Sequence, residues 1–111
     1  MALRLVGEDE IKDVLIDGTT FKVHVRPGHW FSSLRAEHAA AGRFDEVAYS
    51  DAVWAGVLVG WDRLENADGS EIPYSPEAAS RAGRWMPDDV ESKIFTIARA
   101  RERKESEALG N

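Results

Sequence analysis

The chain contains no cysteine, which excludes disulfide bonds, thiolate metal sites and cysteine nucleophiles. It also lacks a long hydrophobic run: the most apolar stretch, AVWAGVLVGW at residues 52–61, has about half the length that a helix needs to cross a bilayer. The N-terminal sequence MALRLVGEDEIKD has no long apolar segment followed by a cleavage site, so we expect no signal peptide. These absences predict a soluble protein with no membrane partner.

Positive charge is in the minority, because 14 Lys and Arg residues stand against 20 Asp and Glu, giving a net charge of −6. A negative field of this kind repels nucleic acids and anionic membrane surfaces. The basic cluster of Arg99, Arg101, Arg103 and Lys104 is interleaved with glutamates, a pattern typical of a solvated helix face. We therefore expect no nucleic-acid partner.

Motifs for catalysis and metal binding are also missing. His24, His29 and His38 lack the i, i+4 spacing of a helical zinc pair. The acidic segment ENADGSE does not fit an EF-hand calcium loop, because Leu64 and Ser75 fall where carboxylates are required. No serine lies in a Gly-x-Ser-x-Gly motif, and there is no glycine-rich phosphate loop. The sequence thus predicts no catalytic, metal-binding or cofactor-binding residue, and no enzyme.

A β-hairpin is predicted at the N-terminus, over residues 1–27. In VLIDGTTFKVHVRP, apolar and polar residues alternate on both sides of Asp17-Gly18, as they do in half-buried strands. Asp-Gly between two such runs favours a type I′ turn, since both of its central residues need positive φ. Pro27 then ends the second strand.

Helical spacing dominates residues 28–98, which we predict to be a helical body with a turn at 62–74. The first helix begins near His29, and Gly42 is typical of a residue just past a helix end. After this helical body, residues 99–111 carry charges without an apolar stripe, so we expect a frayed tail.

A second helix is predicted to begin at Asp45 or Ser50, since either side chain is a good N-cap. Val53, Val57 and Trp61 recur four residues apart, so this helix is expected to run as far as the tryptophan. Together with two later helices, it gives an α+β fold: a single small domain with an N-terminal β-hairpin packed against about four helices.

The predicted turn and the next helix start carry strong local signals. Asp-Gly again indicates a tight turn, and Ser-Pro-Glu indicates a capping hydroxyl followed by proline at the first helical position. The last helix is predicted to open at Pro87. The residues that we expect to form this turn and cap are Asp68, Gly69, Pro73, Ser75 and Pro76.

Four tryptophans are the strongest candidates for a binding surface. A chain of 111 residues cannot easily bury four large indoles completely. Tryptophan is also enriched among the residues that anchor protein–protein interfaces. We therefore treat Trp30, Trp54, Trp61 and Trp85 as candidate interface anchors, the alternative being that most of them belong to the core.

The central segment VGWDRLENADGSEIPYSPE, residues 59–77, resembles a segment of small tail-module proteins of tailed bacteriophages. These are chiefly the tail assembly chaperones of long-tailed phages. The resemblance covers about 20 residues closely, and the order of strands, helices and charged tail fits more loosely. The residues that carry it are Trp61, Leu64, Asp68, Gly69, Pro73, Tyr74, Ser75 and Glu77.

The resemblance implies a non-enzymatic protein in the cytoplasm of an infected bacterial host. Such a chaperone binds the tape-measure protein, keeping its long helices soluble while tail-tube subunits polymerise around it. The tail-tube protein is a second expected partner, and self-association is left open. Two other functions also remain open: a structural tail or head–tail protein of the virion, and a phage-encoded inhibitor of a host protein.

Overall fold

The structure is a computed structural model that describes residues 10–39 and 42–99. This part of the chain begins with two strands joined by Asp17-Gly18. Strand β1 (Ile11–Ile16) pairs antiparallel with β2 (Thr19–His24). The turn residues have φ values of 52° and 93°, both positive as a type I′ turn requires. The predicted hairpin is therefore confirmed over these strands, whereas residues 1–9 of its predicted range lie outside the described residues.

Four helices and a third strand follow the hairpin. Asp45 is the N-cap of the second helix, where its side chain accepts a hydrogen bond from the Ala48 backbone N–H at 3.0 Å. The elements are α1 (Gly28–Glu37), α2 (Glu46–Val57), β3 (Leu58–Asp62), α3 (Pro76–Arg84) and α4 (Asp88–Ala98).

The prediction that the second helix continues to Trp61 is wrong. Helix α2 ends at Val57, and the chain passes directly into β3, which pairs antiparallel with the free side of β2. Phe21 lies opposite Trp61 in this pairing, and a bulge follows at Lys22/Val23. The four-residue spacing of apolar side chains also fits a strand that follows a helix. Backbone hydrogen bonding to β2 decides between the two, and that partner is remote in sequence.

Two other boundaries differ from the prediction. Helix α1 ends at Glu37, so Gly42 does not lie just past the helix end but in the connection to α2, with φ of +77°. Of the predicted tail, only Arg99 is described, where it caps the end of α4. Residues 100–111 lie outside the described residues.

The core lies between the inner face of the sheet and the helices. Alternate residues of the hairpin point into it, and α2, α3 and α4 close it from the other side. This arrangement confirms the α+β prediction of an N-terminal hairpin with four helices, and it adds a third strand. The buried cluster consists of Val14, Phe21, Val23, Phe31, Val53, Trp54, Val57, Leu58, Ala79, Ile94 and Ala98.

Candidate functional site

Trp54 belongs to the core and is not a candidate interface anchor. Its side chain is 3% exposed and lies between α3 and α4. On one side, its ring meets Phe95 edge-on, with the ring centroids 4.9 Å apart. On the other side it lies against Gly83, where an added Cβ would stand 2.3 Å from the indole. The indole therefore fits only because this residue of α3 has no side chain.

Trp30 is half-buried and ties α1 to α2. The Arg26 guanidinium lies 4.7 Å from the centroid of its ring, a cation–π contact. The Arg26 side chain also donates a hydrogen bond from its Nε to the Gly56 carbonyl oxygen at 3.0 Å. The edge of the Trp30 indole covers Gly56 so closely that an added Cβ would lie 2.3 Å away. These contacts give Trp30 a structural role.

Trp61 and Tyr74 fasten the 63–75 connection to β3. The indole Nε1 of Trp61 donates to the Ile72 carbonyl oxygen at 2.7 Å, and the Tyr74 hydroxyl donates to the Leu58 carbonyl oxygen at 2.7 Å. Their rings meet edge-on at 5.0 Å. Burial, and then the charge of Glu77, raises the pKa of Tyr74. These contacts give Trp61 and Tyr74 a structural role within the segment that carries the resemblance.

The tip of this connection is the turn that the sequence predicts around Asp68 and Gly69. The Asp68 carboxylate accepts hydrogen bonds from the Ser70 hydroxyl at 2.6 Å and the Ser70 backbone N–H at 2.9 Å. These two bonds lower the pKa of Asp68. Gly69 has φ of 88°, a conformation that favours glycine. The turn lets Glu65 and Glu71 form a short antiparallel bridge.

Helix α3 begins at the predicted cap and lies along α2. Ser75 accepts a hydrogen bond from the Ala78 backbone N–H at 3.0 Å, and Pro76 occupies the first helical position. The Arg84 guanidinium forms a two-pronged ion pair with the Asp51 carboxylate, with Nε and Oδ1 3.0 Å apart. The hydrogen bond from Arg84 and its charge lower the pKa of Asp51, and the same pair raises the pKa of Arg84.

Trp85 is the exception among the tryptophans, because its side chain is 83% exposed. It follows α3 directly and lies beside a groove of 780 Å³ between that helix and the 64–73 segment. We call this the Trp85 groove. Most of its lining is apolar, and three charged side chains reach it: Glu65, Glu71 and Arg81. The apolar lining consists of Leu64, Ala67, Ile72, Pro73, Ala78, Ala82, Trp85, Met86 and Pro87.

The Trp85 groove has the composition of a binding surface. Its apolar lining can take apolar side chains from a partner, and an exposed tryptophan beside it offers a large contact area.

Within residues 10–39 and 42–99, no group of three or more His, Asp or Glu side chains is arranged to hold a metal ion. In the same ranges, no helix has both the length and the apolar character needed to cross a membrane.

Sequence reasoning identified Trp85 as a candidate but not the groove beside it. The groove forms only when the 64–73 segment folds back over α3, and two remote hydrogen bonds, from Trp61 and Tyr74, hold that segment in place. The signal in the sequence was weak: a tryptophan and a methionine before Pro87, between two helices.

No protein-family model matches the chain, and neither a curated protein nor a solved structure is significantly similar to it. The resemblance to phage tail proteins therefore stays a prediction from the sequence.

Proposed function

We propose that this chain is a non-catalytic protein-binding module that uses the Trp85 groove to hold its partner. The observation that carries the proposal is the 83% exposure of Trp85 beside an apolar groove of 780 Å³. Leaving a large aromatic side chain in water forgoes the free energy of its burial. Tryptophan in such a position is typical of an interface anchor.

Combined with the resemblance of residues 59–77, the groove supports a tail assembly chaperone that binds the tape-measure protein. A long helical protein exposes an apolar face before the tail tube surrounds it, and this face promotes aggregation. A chaperone must cover part of that face and later release it, which favours a modest interface with one aromatic anchor. The Trp85 groove fits that requirement in size and composition.

Co-expression with the tape-measure protein of the same phage tests the proposal. We expect the wild-type chain to raise the soluble yield of that protein and to co-purify with it. Trp85→Ala should reduce both effects without unfolding the domain. Leu15→Ala is the matched control, since Leu15 is 66% exposed on the outer face of the sheet, away from the groove. Equal loss with both variants, or with neither, would contradict a role for the groove.

Two other outcomes would replace the chaperone by an open alternative. Finding the chain in fixed, stoichiometric amounts in purified virions would identify a structural virion protein. Specific capture of a host enzyme, with loss of capture in Trp85→Ala, would identify an inhibitor. Only the second outcome would assign the binding to the groove, and in neither case would the tape-measure protein be the partner.

A further inference from the structure

The segment that borders the Trp85 groove opposes two like charges. Glu65 and Glu71 face each other across the antiparallel bridge that closes the turn, and both side chains are exposed. Like charges directly opposite each other in an antiparallel pair are destabilising. Neither carboxylate forms an ion pair with any of residues 10–39 and 42–99. The described part of the chain therefore gives neither carboxylate a cationic partner within ion-pair distance.

These carboxylates belong to the same groove as the exposed tryptophan. The groove has an acidic side on the 64–73 segment and an apolar lining. On the opposite side, α3 contributes Arg81, whose charge is positive. A partner therefore meets apolar surface flanked by negative charge on one side and positive charge on the other. This polarity distinguishes partners by the sign and position of their charges.

We propose that the Trp85 groove binds an amphipathic helix that carries Lys or Arg beside its apolar stripe. The apolar side chains pack against Trp85, and the basic residues lie against Glu65 and Glu71. Arg81 repels a basic residue on the other side of the helix, so the charges also fix its orientation. The helical form of the occupant rests on the proposed function, in which the partner is a long helical protein.

The size of the groove agrees with this occupant. Its volume of 780 Å³ lies within the range of about 300–1,000 Å³ typical of ligand pockets, so it admits several side chains but not a folded domain. Side chains at i and i+4 of a helix lie on one face, one turn apart. One such face places apolar side chains in the groove and a basic residue at its edge.

Two synthetic peptide helices test the proposal without the tape-measure protein. Both have about 18 residues, or about five turns, and share one leucine stripe. One carries Lys beside the stripe and the other carries Glu at the same positions. Fluorescence anisotropy of the labelled peptides should show about tenfold tighter binding of the Lys peptide at low salt, a preference that shrinks at high salt. Equal affinities for the two peptides would overturn the proposal.

Paired variants separate the groove from the general negative charge of the protein. Glu65→Gln with Glu71→Gln should weaken binding of the Lys peptide about fivefold, as expected for two exposed charge pairs. Glu37→Gln with Glu46→Gln removes the same charge outside the groove and should leave the affinity within about twofold. If both pairs of substitutions weaken binding equally, the acidic groove does not select the peptide and the proposal fails.

Two further variants test the anchor and the orientation. Trp85→Ala should reduce binding of the Lys peptide at least about tenfold, as expected for an interface anchor. Arg81→Gln should tighten the same peptide, since a repulsive charge is removed. Insensitivity to the first change, or weaker binding after the second, would overturn the assignment.

The outcomes also separate this inference from the proposed function. If the chain solubilises the tape-measure protein but shows no preference for the Lys peptide, the chaperone proposal stands and the charge assignment fails. If the Lys peptide is preferred but the tape-measure protein is not bound, the assignment stands and the chaperone proposal fails. Sedimentation covers the remaining occupant: a wild-type dimer that Trp85→Ala dissociates would show that a second copy fills the groove.

Discussion

Trp54 and Trp85 lie at opposite extremes of exposure, although both are close to the end of α3. Trp54 is 3% exposed and packs on Gly83. Trp85, which follows Gly83 by two residues, is 83% exposed. The difference depends on what faces each indole. A glycine in α3 leaves a space that Trp54 fills, and no comparable space in the described part of the chain receives Trp85. The shape of the surroundings thus separates the buried tryptophan from the exposed one.

Alanine at the two positions should give the largest contrast. Trp54→Ala removes a buried indole from the core and should lower the free energy of unfolding by about 3–5 kcal/mol. Trp85→Ala removes an exposed side chain and should change it by no more than about 0.5 kcal/mol. Urea denaturation of both variants measures the difference. Similar losses would mean that Trp85 packs against a second subunit or against residues outside the described ranges.

Filling the space beside Trp54 should have the next largest effect. Gly83→Ala places a methyl group 2.3 Å from the indole, and overpacking of this kind costs about 1–3 kcal/mol. Gly28→Ala is the matched control in α1, because no described atom lies within 4 Å of its added Cβ. Thermal unfolding should show a lower midpoint for the first variant only. An unchanged midpoint would show that the indole can move aside at little cost.

A substitution in the turn beside the groove should strain the backbone. Gly69→Val places a β-branched residue at φ of 88°, which should cost about 1–3 kcal/mol although the site has open space. Ala67→Val, in the same turn without a positive φ, should be close to neutral. Thermal unfolding of the pair provides the comparison, and equal midpoints would indicate that the turn adopts another conformation.

The ion pair between α2 and α3 should give the smallest effect, with a defined dependence on pH. The pKa of Asp51 is lowered in the folded protein, so its contribution to stability is present above the ordinary value of 3.8. That contribution is lost as the pH falls through the lower folded-state pKa. Asp51→Asn should therefore be less stable than wild type at pH 7 and nearly equal to it at strongly acid pH. A stability difference that does not shrink on acidification would contradict a stabilising role of the carboxylate charge.

Local signals in the sequence predicted several parts of this fold. Turn and cap signals act over a few residues, so they can be recognised in the sequence without knowledge of the tertiary structure. Those that were recognised are Asp17-Gly18, the Asp45 cap and Ser75-Pro76. The missed strand is different, because Val57 and Trp61 fit both a helix stripe and a strand. The choice depends on β2, a partner that sequence patterns do not place.

The candidate site was predictable only in part. An exposed tryptophan was expected among four, but its identity depended on tertiary contacts: Trp30 and Trp54 lie against glycines, and Trp61 contacts Ile72 and Tyr74. The groove required the positions of residues from Leu64 to Pro87 in three dimensions. Predicting the charge pattern of the groove would also have required knowing that Glu65 pairs with Glu71, a pairing that depends on the conformation of the turn between them.

The late arrival of β3 has a consequence for synthesis on the ribosome. The β1–β2 hairpin is local and can close as soon as it emerges, but Thr20 pairs with Asp62. Until that aspartate has left the exit tunnel, one side of β2 has no strand beside it. An open strand edge can pair with another nascent chain. Two helices must therefore emerge before β2 is paired on both sides, and the rate of translation across them sets how long its second side stays open.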